Sequence, residues 1–138
     1  MTAPPLPDDV RALLAKPNPA VIASLRPDGQ PVTVATWYLL EDDRSRGDLL
    51  LVNMDEGRKR LAYLREDPRV SLTALDDGDW YTHVSVQGRI VDWADDTDLT
   101  DIDRLSTHYT GKPYATRDRR RVSAWIQVES WHGWGAAR

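Results

Sequence analysis

The chain has 138 residues, a net charge of −4 and 29% charged residues. That fits one domain with a real core and argues against a general polyanion binder. It has no cysteine, which excludes disulfides, thiolate catalysis and Cys-ligated zinc. 

The opening MTAPPLPDDV is Pro-rich and expected to be loose over residues 1–7. It lacks the basic and apolar regions of a signal peptide, and no apolar run approaches a membrane span. A cytoplasmic location without a membrane partner is therefore expected. Residues 8–15 predict a short helix with Val10, Leu13 and Leu14 on one face, stopped by the KPNP stretch that follows. Residues 1–19 thus read as a tail and short helix ahead of one domain over residues 20–135.

AVIASL (20–25) and residues 31–40 predict a hairpin. The RPDGQ between them is its turn, where Pro27 presets φ and Gly29 supplies positive φ. A polar loop over residues 41–47 leads to GDLLLVNMDEGRKRLAYLREDPRVSL, residues 47–72, the stretch that carries the chemistry. Its run Leu49-Leu50-Leu51-Val52 suits a buried strand. Asp55 can cap a helix, Leu61 and Leu64 give that helix an apolar stripe, and Pro68 ends it. Val70, Leu72 and Ala74 then alternate as a strand.

Arg58, Lys59 and Arg60 fall at the N-terminal turn of that helix. A helix N-terminus has unpaired N–H groups and a partial positive charge, so three cations there make a phosphate site. The competing reading is a solvated face whose bases pair with Glu56, Glu66 and Asp67.

After a turn at residues 76–79, residues 80–93 predict a long strand in which Gly88 marks a bulge or a close backbone approach. Asp96 or Thr97 can cap a helix with Leu99, Ile102, Leu105 and Tyr109 on one face and Gly111 past its end. The acidic run around it lacks the calcium-loop pattern and serves the helix dipole. A second basic cluster, Arg117, Arg119, Arg120 and Arg121, precedes a last strand over residues 122–128 and the closing WHGWG. The sum is six strands and two or three short helices, dominated by hairpins, which predicts a mainly β, antiparallel barrel with helices at its rim or ends. The aromatic set is unusual, six Trp and five Tyr without a Phe. Such rings keep a polar handle and suit pocket walls and interfaces as well as cores.

His83, His108 and His132 lie far apart and form no metal motif. No Gly-x-Ser-x-Gly, Walker loop or dinucleotide fingerprint occurs. An enzyme without such a constellation takes its reactivity from a bound cofactor.

Six segments, in order, resemble one family. They are VIASL with DGQP, Thr36-Trp37-Tyr38, Arg58-x-Arg60 with LREDPRV, VQGR at 86–89, YTGKPY at 109–114 and VESWHGW at 128–134. Together they are similar to the flavin/deazaflavin oxidoreductases, split β-barrels related to pyridoxamine 5′-phosphate oxidases, and most of all to actinobacterial members that use coenzyme F420. Two positions depart from the pattern. Arg60 stands where a phosphate Lys is usual, and Tyr63 where Asn is usual.

The resemblance implies a six-stranded antiparallel split β-barrel with short flanking helices. It implies a homodimer with two cofactor sites at the subunit interface. Arg58, Lys59 and Arg60 would hold the cofactor phosphate. Val52, Asn53 and Met54 would run beside the ring, with Val34, Thr36 and Trp37 on the neighbouring strand. Trp80, Tyr81 and residues 131–134 are candidates for a wall from the partner, with dimer-interface packing as the alternative. The implied activity is hydride transfer between reduced F420 and an unsaturated small organic substrate. Arg26, Arg65, Arg117 or Arg119 would serve the acidic tail of F420. An FMN oxidoreductase of the same fold and a non-catalytic F420 carrier are the alternatives. A nucleic-acid-binding barrel is disfavoured by the acidic net charge.

Overall fold

A computed structural model of the chain describes residues 6–43 and 46–137. The first five residues of the Pro-rich opening and the middle of the 41–47 loop lie outside the described residues. The elements, in order, are α1 (Asp8–Leu14), β1 (Ala20–Leu25), β2 (Pro31–Thr36), β3 (Leu39–Asp43), β4 (Gly47–Asp55), α2 (Lys59–Glu66), β5 (Arg69–Leu75), β6 (His83–Asp95), α3 (Thr100–Thr110) and β7 (Arg121–Trp134). No helix among the described residues is long and apolar enough to cross a membrane.

The strands form one antiparallel sheet in the order β2-β1-β5-β6-β7-β4-β3. There are seven strands rather than the six expected, because the return strand predicted over residues 31–40 is two. The break falls at Trp37-Tyr38, where Tyr38 turns fully into the core and its hydroxyl accepts a hydrogen bond from Asn18 Nδ2 at 3.1 Å. β2 and β3 are the two edges of the sheet, yet Thr36 and Leu39 are three residues apart. An extended chain spans about 10 Å over three residues. The sheet therefore curls so that the end of β2 and the start of β3 come together, and the split of the barrel lies beside Trp37.

Two clusters fill the interior. The larger takes Val10 and Leu14 from α1, Leu61 and Leu64 from α2, and inward residues of the strands. The smaller lies under α3 and joins Leu51 to Leu99, Ile102 and Leu105, with Trp37 and Tyr114 against it. β4 is covered on both sides, with Val52 and Met54 in the larger cluster and Leu51 in the smaller. That explains why Leu49-Leu50-Leu51-Val52 does not alternate with polar residues.

Gly88 sits at a register shift between β6 and β7, and a Cβ there would lie 1.9 Å from the Gln127 carbonyl oxygen. Three other elements depart from expectation. The long strand begins at His83 rather than Trp80, because residues 76–82 fold as a turn tied by Thr82 N to Asp79 O at 2.9 Å. β7 runs on to Trp134, since its second half pairs with β6. Asp55 does not cap α2: its Oδ1 accepts from Gly57 N at 2.8 Å, and Arg58 is the N-cap.

Candidate functional site: a cationic cleft beside the barrel seam

A cleft of about 970 Å³ opens beside the split. Val34, Thr36 and Trp37 line it from β2 and the break, Asn53 and Met54 from β4, and Arg58, Lys59, Arg60 and Tyr63 from the start of α2. Ile102, Leu105 and Tyr109 of α3, Tyr114 in the following loop, and Arg121 at the start of β7 line it as well.

The electrostatics of α2 set its end of the cleft. Its first turn holds no acidic residue, whereas α1 starts with Asp8 and Asp9 and α3 has Asp101 and Asp103. Cations at a helix N-terminus oppose the dipole. The Arg58, Lys59 and Arg60 side chains also enter no ion pair among the described residues; Asp67, one of the acids expected to neutralise them, pairs with Arg69 instead. Arg60 is the most constrained. Its Nε is buried without a hydrogen-bond partner. Burial, with Arg58 and Arg121 nearby, lowers its guanidinium pKa. Such a group is costly to keep charged unless something negative comes to it.

Aromatic rings pack together along the cleft. Trp37 stacks on Tyr109 and meets Tyr114 edge-on. The Tyr109 hydroxyl donates to Asn18 O at 2.8 Å, and burial pushes its pKa up to about 12, so it stays neutral at ordinary pH. Asp55 also borders the cleft, but its charge is taken by Arg119, and the Gly57 amide and Arg119 lower its pKa.

Eight of the ten residues singled out from the sequence line this cleft. Val52 does not: it is fully buried in the larger core cluster. Trp80 does not either: it stands 61% exposed on the turn before β6, stacked on Tyr81 at 4.3 Å. The cations considered for an acidic tail are engaged elsewhere. Arg26 pairs with Asp28, Arg117 with Asp103 and Arg119 with Asp55, while Arg65 lies over the Trp93 ring. Sequence reasoning placed Arg121 in a basic cluster but not in the site. Only the β4–β7 pairing, Asp55 opposite Arg121, carries it there. Tyr109 and Tyr114 were visible as a turn motif but not as cleft walls.

Residues 6–135 match the family model of pyridoxamine 5′-phosphate oxidase. No curated protein matches the chain. Among solved structures, the fold is similar to that of an F420 reductase, with a TM-score of 0.80 and 23% identity over 92% of this chain and 98% of that one. It is also similar to a conserved hypothetical protein from Mycobacterium tuberculosis, with a TM-score of 0.69 and 21% identity over 96% and 91% of the two chains. General Stress Protein 26 from Bacillus anthracis shares the fold at a TM-score of 0.63 and 15% identity, over 92% of each chain.

Proposed function

The chain belongs to the pyridoxamine 5′-phosphate oxidase family, and from that premise we propose that it is an oxidoreductase that uses the deazaflavin F420. The observation that carries this reading is Arg60, whose buried Nε has no partner while Arg58 and Arg121 stand near it and enter no ion pair among the described residues. A phosphate group fits that need, since guanidinium binds phosphate oxygens through paired, charge-assisted hydrogen bonds.

Arg58, Lys59 and Arg60 hold the phosphate end, with α2's free N–H groups behind them. Met54, Val34, Trp37 and Thr36 offer an apolar and aromatic wall for a flat ring system. When bound, the cofactor supplies the hydride chemistry. The side chains orient it and keep water from its face. No base is assigned, and the Tyr109 hydroxyl is already committed to Asn18. The likeness to an F420 reductase supports the deazaflavin over FMN, which the same cations also suit.

The functional unit in this reading is a homodimer. The exposed rings of Trp80, Tyr81 and Trp134 then belong to the contact with a second copy and to the wall of its cleft. The compartment in this reading is the cytoplasm, and neither nucleic acid nor membrane is a partner.

Titration of the purified chain with F420 and with FMN, followed by Trp fluorescence, tests the proposal. Tight F420 binding, with oxidation of reduced F420 by an unsaturated acceptor, supports it. Preference for FMN moves the chain to the flavin alternative, and F420 binding without turnover of any acceptor makes it a carrier. Binding of neither removes the basis for an oxidoreductase.

A further inference from the structure

Asn53 is 7% exposed at the edge of the cleft, and its amide is spoken for. Nδ2 donates to Asp96 Oδ2 at 3.1 Å and to Ser123 Oγ at 3.0 Å. Oδ1 accepts from Arg121 Nε at 2.7 Å. A primary amide has two N–H groups, so Asn53 has no donor left for a ligand. Its orientation is fixed, because the Arg121 Nε–H can only donate and so must face the amide oxygen. Asp96 is fixed in turn by the Asp101 and Ile102 N–H groups at the start of α3, at 3.0 and 2.9 Å. Ser123 Oγ donates to Asp101 Oδ2 at 2.7 Å, which closes the network.

The chain of bonds ends on Arg121. Its Nε is held by Asn53, and its guanidinium lies 4.9 Å from the centroid of the Tyr114 ring. Both contacts leave the four terminal N–H groups of the fork available. Arg121 enters no ion pair among the described residues, unlike Arg117 and Arg119 just before it. It lines the cleft and lies close enough to Arg60 to depress the ionisation of that guanidinium. Asp55, already paired with Arg119, is the acid whose charge reaches Arg121, so the three guanidinium groups of the cleft still favour a further anion among them.

We infer that Arg121 is a fourth cation of the anion site, beside Arg58, Lys59 and Arg60, and that Asn53 is its positioning residue rather than a contact of the cofactor ring. The inference rests on the reading of the cleft as the seat of an anionic cofactor. It brings the start of β7 into the site beside β4 and ties its geometry to α3 through Asp96. A cation held in place loses less freedom on binding than a swinging one.

Calorimetric titrations with F420, FMN and inorganic phosphate test it, on the wild type, Arg121→Ala, Asn53→Ala, the double variant and Arg121→Lys. Each alanine variant is expected to raise Kd for the best-bound probe about tenfold, the scale of one charge-assisted hydrogen bond. The double variant is expected to lose no more than Arg121→Ala, because Asn53 acts only through Arg121. Arg121→Lys keeps the charge but not the Nε–H, and is expected to bind nearly as weakly as Arg121→Ala. Additive losses, unchanged binding by Asn53→Ala, or wild-type binding by Arg121→Lys each overturn the inference. If Asn53→Ala does not fold, the lysine variant decides. Phosphate binding without either cofactor, with the same pattern across the variants, sinks the F420 reading but keeps this one. A wild type that binds none of the three overturns both.

Discussion

The indole of Trp37 stacks on the phenol of Tyr109, with ring centroids 5.4 Å apart and planes 14° from parallel. The stack joins the break between β2 and β3 to α3, and the Tyr109 hydroxyl adds a bond to Asn18 O. Tyr109→Phe keeps the stack and deletes that bond together with the longer one the hydroxyl accepts from Tyr38 N at 3.4 Å. It is expected to cost about 1 kcal/mol of stability in urea unfolding, with cofactor affinity little changed. Tyr109→Ala removes both and is expected to cost about 3 kcal/mol and weaken cofactor binding.

The same tyrosine sets a pH limit. Burial pushes the Tyr109 pKa from 10.0 up to about 12, and raises that of Tyr38 as well. Between those values the folded chain holds protons that the unfolded chain has lost. Stability is therefore complete below pH 10.0 and falls as pH rises toward about 12. Urea midpoints measured from pH 8 upward are expected to show that decline, and Tyr109→Phe to make it shallower. A flat profile counts against it.

Arg60 should show opposite effects on folding and binding. In the free chain it is a cation with a buried, unpartnered Nε. Arg60→Met removes that burden and is expected to raise the stability of the cofactor-free chain by about 1 kcal/mol. It is also expected to weaken cofactor binding tenfold or more, as a lost charge-assisted contact. Melts with and without cofactor measure both. A variant less stable than wild type in both states argues that Arg60 is structural.

Gly88 gives a steric prediction. A Cβ there meets Gln127 O at 1.9 Å, whereas at Gly78 the nearest atom is Asp76 Oδ2 at 3.6 Å. Gly88→Ala is expected to cost about 3 kcal/mol, and Gly78→Ala well under 1 kcal/mol. Comparable denaturant midpoints for the two variants contradict this.

Trp80, Tyr81 and Trp134 are 61%, 62% and 53% exposed. The chain is expected to sediment as a dimer, and Trp80→Lys with Trp134→Lys to return it to a monomer that binds cofactor more weakly. A wild-type monomer that binds cofactor fully rejects that assembly.

The segment from β4 through β5 was legible because each signal in it is local. An apolar run, a basic turn, a Leu pair and Pro68 all act within a few residues. The helix stop at Asp67, in extended conformation before Pro68, follows directly from proline sterics. The extra edge strand was not legible, because residues 31–40 contain no Gly or Pro after Pro31 to mark a break. Tyr38 makes that break by turning into the core. Cleft residues on β2, β4 and α2 were found from the central stretch and the family pattern. Arg121 was not, because its neighbours in space are decided by a strand pairing that no local signal encodes. Asp96 or Thr97 was expected to cap α3; Asp96 accepts from its first N–H groups, from outside the cap position, which Leu99 occupies with φ of 59°.

β7 follows every other strand in sequence and yet stands inside the sheet, between β6 and β4. While the chain is being synthesised, β1, β2, β5 and β6 can already pair, but β4 and β3 have nothing to join them to that set. Asn53 meets Ser123 only when β7 emerges. Closure of the barrel, assembly of the cleft and the bond from Asn53 to Arg121 thus wait for one late, long-range event. Loop-closure entropy makes such an event slow. A ribosome that stalls before residue 121 releases a chain with two exposed strand edges and half a site, a natural substrate for chaperones.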